Sequence, residues 1–227
     1  MNRIFRAVLT AVLALGCVLP AAAQSLTTTY ATDNSSGGNT FDLKSTRDLR
    51  IDSFDIHLGS AGTTTQVAVY WRTGTANGFQ ANPAGWTLLG TATVVSQGPG
   101  NPTHLPIGGL KLVAGQTYGM YITLVNNDVS FLYTNGTTTF ANSDLSFVPF
   151  YGEWAPAFDP NVFYPRIWNG TVYYSDAGFT TCAAEGLKGS KLALCQKTCE
   201  VKQTTSTLNG LILLYRQAYR EDPPCAR

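Results

Sequence analysis

Histidine, charge and long apolar runs are all scarce in this chain. Of its 227 residues only two are histidines, His57 and His104, and charged residues make up 13%. Chemistry that relies on imidazole therefore has two positions to draw on. No G-x-S-x-G elbow, no H-E-x-x-H and no phosphate-cradling glycine loop occurs, which excludes the motif-bearing hydrolases, zinc peptidases and nucleotide-binding enzymes. No fixed-period repeat is present, so a solenoid or propeller is not expected. Beyond Pro20 no stretch approaches the roughly 20 apolar residues of a membrane-spanning helix, and a transmembrane anchor is not expected.

The one apolar run lies at the N-terminus. Arg3 and Arg6 precede Ala7 to Pro20, and Ala21-Ala22-Ala23 supplies small residues before Gln24. Charged flank, short apolar core and small-residue cleavage site make a secretory signal peptide over residues 1–23. The competing reading is a lipoprotein box at Gly16-Cys17, but Ala14 stands where such a box wants leucine. Cleavage leaves 13 basic (15 − 2) against 14 acidic residues, a balance that offers nucleic acid no basic surface. The charge divides unevenly. Residues 24–177 carry 6 Lys/Arg against 10 Asp/Glu, and residues 178–227 carry 7 against 4.

Pattern divides at the same place. In Gln66 to Arg72, Val67, Val69 and Trp71 alternate with Gln66, Tyr70 and Arg72. Tyr118, Met120, Ile122 and Leu124 repeat the alternation, as do Val129, Phe131 and Tyr133. A period of two means strands with one face in a core. Between Leu49 and Leu58 the phase flips, and a bulge at Asp52-Ser53 reconciles the two halves. Asp33-Asn34-Ser35-Ser36-Gly37-Gly38-Asn39, Gly98-Pro99-Gly100-Asn101-Pro102 and Asn135-Gly136 read as loops or hairpin turns. About eight to ten strands result, which predicts a mainly β fold over residues 24–177: an antiparallel β-sandwich of jelly-roll type, with a closed barrel as the alternative.

Residues 178–227 turn helical. Ser190 caps Leu192, Cys195 and Cys199; Ser206 caps Leu208, Leu211, Ile212, Tyr215 and Ala218; and Pro223-Pro224 stops the second helix. With Cys17 removed, Cys182, Cys195, Cys199 and Cys225 remain, all in the last 46 residues (227 − 182 + 1). An even set in a small secreted segment reads as two disulfides stapling a helical hairpin. Cys195 and Cys199 share a helical face, so their partners are Cys182 and Cys225 in either pairing. A four-thiolate zinc site is the alternative, against which stand gaps of 12, 3 and 25 residues in place of C-x-x-C pairs.

Functional candidates are few. His57 alternates with Ile56 and Leu58 and is expected on the surface; His104 follows a Gly/Pro/Asn loop and is expected in solvent. Asp42, Asp48, Asp52, Asp55, Asp128, Asp144, Glu153 and Asp159 could form the two-carboxylate pair of a polysaccharide-active enzyme. Asp33, Asn34 and Asn39 could lend oxygens to calcium, a role against which Asx turns compete; no other cofactor is indicated. The most suggestive stretch runs from Phe150 to Trp168, an aromatic, Pro-punctuated connection of low strand character. Aromatic faces there stack on sugar rings, or else close a small satellite core. Tyr151, Trp154 and Phe158 are the residues expected to be exposed, with Glu153 beside them to orient a ligand.

Residues 27–175 resemble secreted bacterial modules of the jelly-roll or galactose-binding-like sort. The resemblance rests on Phe54-Asp55-Ile56, Val67-Ala68-Val69-Tyr70, Trp86-Thr87-Leu88-Leu89-Gly90-Thr91, Ala114-Gly115-Gln116-Thr117-Tyr118-Gly119 and Arg166-Ile167-Trp168-Asn169-Gly170-Thr171. These are strand and turn positions, so the resemblance implies a fold and a secreted, periplasmic or cell-surface location and carries over no active-site residue. The tail is similar to cysteine-bearing segments appended to secreted bacterial proteins, through Gly186-Leu187-Lys188-Gly189, Leu194 to Glu200 and Pro223-Pro224-Cys225. The functional expectation is a non-catalytic binding module for a glycan or a cell-surface component. A carboxylate enzyme and an adhesin or surface-structural subunit stand as alternatives.

Overall fold

The computed structural model describes residues 24–177 and Ser190. The signal peptide and the disulfide-stapled helical hairpin expected from the sequence, with Cys182, Cys195, Cys199 and Cys225, fall outside the described residues.

Two antiparallel sheets pack face to face. The smaller joins β1 (Gln24–Thr27), β14 (Gly170–Asp176), β4 (Leu49–His57) and β7 (Pro102–Leu105) in that order, with β8 (Lys111–Leu112) also on β4. The larger runs β2 (Asn34–Ser36), β10 (Phe131–Asn135), β13 (Val162–Trp168), β12 (Leu145–Glu153), β3 (Gly38–Ser45), β9 (Thr117–Leu124), β5 (Thr64–Thr73) and β6 (Thr87–Val95), with β11 (Phe140–Ala141) on β12. Among the described residues neither strand order closes on itself, so the two sheets form a sandwich-like arrangement and not a closed barrel. The 14 strands among the described residues exceed the eight to ten expected because several have only two to four residues, too few to display a period. No helix among the described residues is long and apolar enough to cross a membrane.

The core lies between the sheets. Phe41, Leu43, Val67, Val69, Met120, Ile122 and Phe147 face Leu49, Ile51, Phe54, Ile56, Val172 and Tyr174, all buried. Each large apolar side chain so buried contributes about 1.5–3 kcal/mol. Trp168 sits at the centre, stacked on Phe41 with ring centroids 5.0 Å apart and edge-on to Phe54 at 6.2 Å. The bulge expected at Asp52-Ser53 is present: Tyr173 pairs with Ser53 and Tyr174 with Ile51, leaving Asp52 as the extra residue. Its insertion keeps Ile51 and Phe54 both inward.

Two expectations fail. Residues 33–39 do not form a loop: Ser35 and Ser36 pair with Leu132 and Phe131, and Gly38 already pairs with Thr123. Their Ser/Asn/Gly composition imitates a turn but answers to crowding. A Cβ on Gly37 would lie 2.1 Å from the amide nitrogen of Ala155, so the chain passes there only as glycine. The aromatic stretch from Phe150 to Trp168 is likewise mostly strand, the end of β12 and the whole of β13, with only residues 154–161 connecting them.

β9 departs from simple alternation. Met120, Ile122 and Leu124 enter the core, yet Tyr121 and Thr123 on the other face are also buried. Residues 74–86 and 154–161 roof that outer face. Ala76 N donates to Asp42 Oδ1 at 2.7 Å, and Phe158 and Trp86 pack on Tyr121 at 5.5 and 6.1 Å. Gly119 admits the first of these segments, since a Cβ there would lie 2.7 Å from Ala76 N.

Candidate functional site

A second bulge decides where the predicted ligand residues go. Pro149 pairs with Phe41 and Gly152 with Asn39, so β12 spends three residues where β3 spends two. Without the extra residue Glu153 would share the inward parity of Phe147 and Pro149. With it, Glu153 turns to the outer face, the face that carries Thr40 and Tyr121, which pair across β3 and β9.

Glu153 is fully buried there, which corrects the expectation that it orients a ligand at the surface. Removal from water raises its carboxyl from 4.5 to about 8; the nearby Tyr121 and Thr40 hydroxyls oppose the rise, and the Asp159 charge adds to it. Those hydroxyls sit close by, yet neither they nor the carboxyl oxygens reach hydrogen-bond geometry with a described partner. Burial prevails, and at neutral pH the group is an uncharged acid.

The three aromatic candidates separate. Phe158, with a left-handed φ of 68°, is half-buried against Tyr70, Tyr121 and Trp86 and helps form the satellite core under the roof. Tyr151 is half-buried too; its ring lies 5.2 Å from that of Tyr164 and its hydroxyl donates to Asn77 Oδ1 at 3.2 Å. Of the three residues expected to be exposed, only Trp154 is, at 45%.

Trp154 borders a groove of about 460 Å³ formed by β2, the turn between β9 and β10, and the chain leaving β12. Ser35, Ser36, Asn127, Asp128 and Ser130 line it. The indole is held edge-on by Phe163, with centroids 5.7 Å apart and planes at 83°. Asn127 Nδ2 donates to Ala155 O at 3.1 Å and ties the turn to the residue after the tryptophan. Sequence reasoning found the tryptophan and missed its polar neighbours. The Asn126-Asn127-Asp128 run between two apolar alternations was the available signal.

Most remaining carboxylates serve the fold. Asp48 accepts from Ala114 N at 2.9 Å, Asp144 pairs with Arg47 at 2.9 Å, and Asp159 accepts from Asn161 N at 2.7 Å. Asp52 and Asp55 share a depression of about 350 Å³ on the outer face of the small sheet, with His104 and Tyr173. There Asp52 accepts from Ser175, while Asp55 binds His104 Nδ1 at 3.0 Å and the Tyr173 hydroxyl at 2.8 Å. Asp128 differs, having no hydrogen-bond or ion-pair partner among the described residues while it lines the groove. Of the three residues considered for calcium, Asp33 accepts from Asn135 N and Asn34 from Ser35 N, while Asn39 is buried and donates through Nδ2 to Tyr151 O.

The histidines split. His104 is exposed as expected. His57 is not: it is fully buried, although it points away from Ile56. Tyr30 packs edge-on at 5.4 Å and Gly100 N donates to His57 Nε2 at 2.6 Å, so connecting segments cover that end of the small sheet. Burial lowers its pKa and the accepted hydrogen bond requires an unprotonated Nε2.

No protein-family model matches the chain, and no curated protein does. Among solved structures it is similar to the cysteine protease and lectin-like domains of Cwp84, a surface layer associated protein of Clostridium difficile. That likeness has 16% identity and a TM-score of 0.38, covering 62% of this chain and 32% of that one. A structure of infectious bursal disease virus Gx strain is similar at 12% identity and TM-score 0.22, over 88% of this chain and 49% of the other. The chain thus spans less than two thirds of either, and no family assignment follows.

Proposed function

We propose that this protein is a secreted, non-catalytic binding module of jelly-roll type that holds a carbohydrate in the Trp154 groove. One observation carries the reading: an exposed indole borders a concave surface where the Ser35 and Ser130 hydroxyls and the carboxylate of Asp128 have no hydrogen-bond partner among the described residues and are free to bond a ligand. The C–H face of a sugar ring is apolar and stacks on an aromatic plane, while its hydroxyls both donate and accept. A fixed ring beside a few convergent polar groups suits that mixed chemistry. Trp154 contacts the ring, Asp128 accepts from its hydroxyls, and Glu153 acts from below by anchoring the main chain, since Gly37 N donates to Glu153 O at 2.7 Å. Export through the N-terminal leader and two disulfides among Cys182, Cys195, Cys199 and Cys225 complete the reading.

A glycan array followed by calorimetry on the best binder tests it. Trp154→Ala is expected to weaken binding at least about tenfold, the equivalent of about 1.4 kcal/mol, and Asp128→Asn to weaken it less. Binding unchanged in Trp154→Ala would remove the groove from consideration, and an array with no signal would remove the sugar.

A further inference from the structure

The groove beside Trp154 carries negative charge with nothing to answer it. Its lining includes one carboxylate, Asp128, and no Lys, Arg or His. The segments that supply the lining are equally bare of cations: none occurs in residues 24–43, 58–71 or 112–165. Asp128 itself has no hydrogen-bond or ion-pair partner among the described residues. Elsewhere in the fold carboxylates are answered, Asp144 by Arg47 and Asp55 by His104 and Tyr173.

The turn that carries this carboxylate is tied down on both sides. Before it, Asn127 Nδ2 donates to Ala155 O at 3.1 Å; after it, Val129 is buried and Gly59 N donates to Ser130 O at 2.9 Å. With its nitrogen so engaged, Asn127 has its Oδ1 left without a partner, a second acceptor next to Asp128 in the turn. A carboxylate and an amide oxygen only accept, whereas the Ser35 and Ser130 hydroxyls can do either. The groove is short of donors and suits a ligand rich in them.

We infer that the groove selects glycans bearing free amino groups, a sugar ammonium set against Asp128 and its ring against Trp154; this rests on the reading of the groove as a sugar site. An ammonium brings three donors and no acceptor, the complement of that turn. Its hydrogen bond to a carboxylate is charge-assisted and stronger than one from a neutral hydroxyl. The face of an indole attracts a cation as well. A uronic or sulfated glycan would bring further negative charge to a surface with no cation to receive it. Acetylating the amine removes the charge and adds an acceptor where acceptors are already in excess. A sugar with hydroxyls alone can occupy the groove but leaves the charge of Asp128 unpaired.

Calorimetry of the full chain with a glucosamine oligomer and with its N-acetylated counterpart, at about pH 6 where a primary amine is charged, tests the selection. The amine form is expected to bind at least about tenfold tighter, with the advantage shrinking as salt is added. Asp128→Asn is expected to abolish the difference and to leave the N-acetylated form bound as before. Asp52→Asn, which removes a charge from the other sheet, is expected to preserve it. Trp154→Ala is expected to weaken both oligomers, and circular dichroism checks that each variant folds. Equal affinities in the wild type, a preference that survives Asp128→Asn, or a lysine oligomer bound as tightly as the glucosamine oligomer would each overturn the inference. A glycan that needs Trp154 but shows no preference for the amine would leave the groove a sugar site and sink only the selection. Binding indifferent to Trp154→Ala would remove the site and the selection together, so the two failures are read apart.

Discussion

Two tyrosine–carboxyl pairs, one on each sheet's outer face, behave differently. Tyr121 and Glu153 lie under the roof of the large sheet, where burial is the largest influence on both and each holds its proton well beyond its ordinary range. Tyr173 and Asp55 lie on the unroofed small sheet. There the hydrogen bond to Asp55 is the largest influence and pushes the Tyr173 hydroxyl up to about 12. The first pair is neutral because both groups are buried, and neither reaches hydrogen-bond geometry with a described partner. In the second the tyrosine donates at 2.8 Å to a carboxylate that also holds His104. Covering a face changes what holds the tyrosine's proton: burial under the roof, a hydrogen bond in the open.

Breaking the contrast at Glu153 has the largest expected effect. Its folded pKa of about 8 stands above the ordinary 4.5. Between those values the folded chain keeps a proton that the unfolded chain has lost. Stability is therefore fullest below about pH 4.5, falls as pH rises, and levels off above about pH 8. Glu153→Gln keeps the shape without the titration and is expected to stabilise by about 4 kcal/mol near pH 8 while adding little near pH 4. Urea melts at both pH values check this. An equal gain at the two, or a loss at pH 8, would refute the neutral-acid assignment.

His57 sharpens the comparison from the basic side. Its pKa is lowered by burial, so its contribution is complete above the ordinary 6.5 and is lost as pH falls through that value toward the folded pKa. Glu153 favours acid and His57 opposes it. His57→Gln, which still offers an acceptor to Gly100 N, is expected to flatten the acid limb of the stability curve below about pH 6.5. An unchanged limb would mean that His57 becomes protonated in the fold without cost.

The smallest effect is expected where nothing is covered. His104 is 62% exposed at its side chain, and its bond to Asp55 competes with water. His104→Ala is expected to change stability by less than about 0.5 kcal/mol, with the difference shrinking further in salt. A loss several times larger would show that the open face is more structured than its exposure implies.

Particular residues show how much was legible. The bulge at Asp52 could be read because Leu49, Ile51, Phe54, Ile56 and Leu58 are all apolar, and their change of phase has no other economical cause. The bulge between Pro149 and Gly152 could not, because aromatics occupy both parities there and hide the change. His57 was placed on the correct side of its strand but misjudged as exposed, since alternation states direction and says nothing of what lies beyond. Trp154 was found as an aromatic outside a strand. Its companions Asn127 and Asp128 sit some 26 residues away in sequence, and only the meeting of two strand ends makes them neighbours.

The sequence by itself determined that residues 24–177 build antiparallel strands around a core, because a period of two with turn residues between runs has few other solutions. It determined too that the edge strand β6 carries no charge, since composition needs no coordinates. Tertiary structure alone decided that Glu153 is a buried neutral acid and Trp154 an exposed platform one residue later. One extra residue in β12 sets the face, and two distant connecting segments set the solvent. Neither can be seen in a local pattern, because burial depends on contacts made far along the chain.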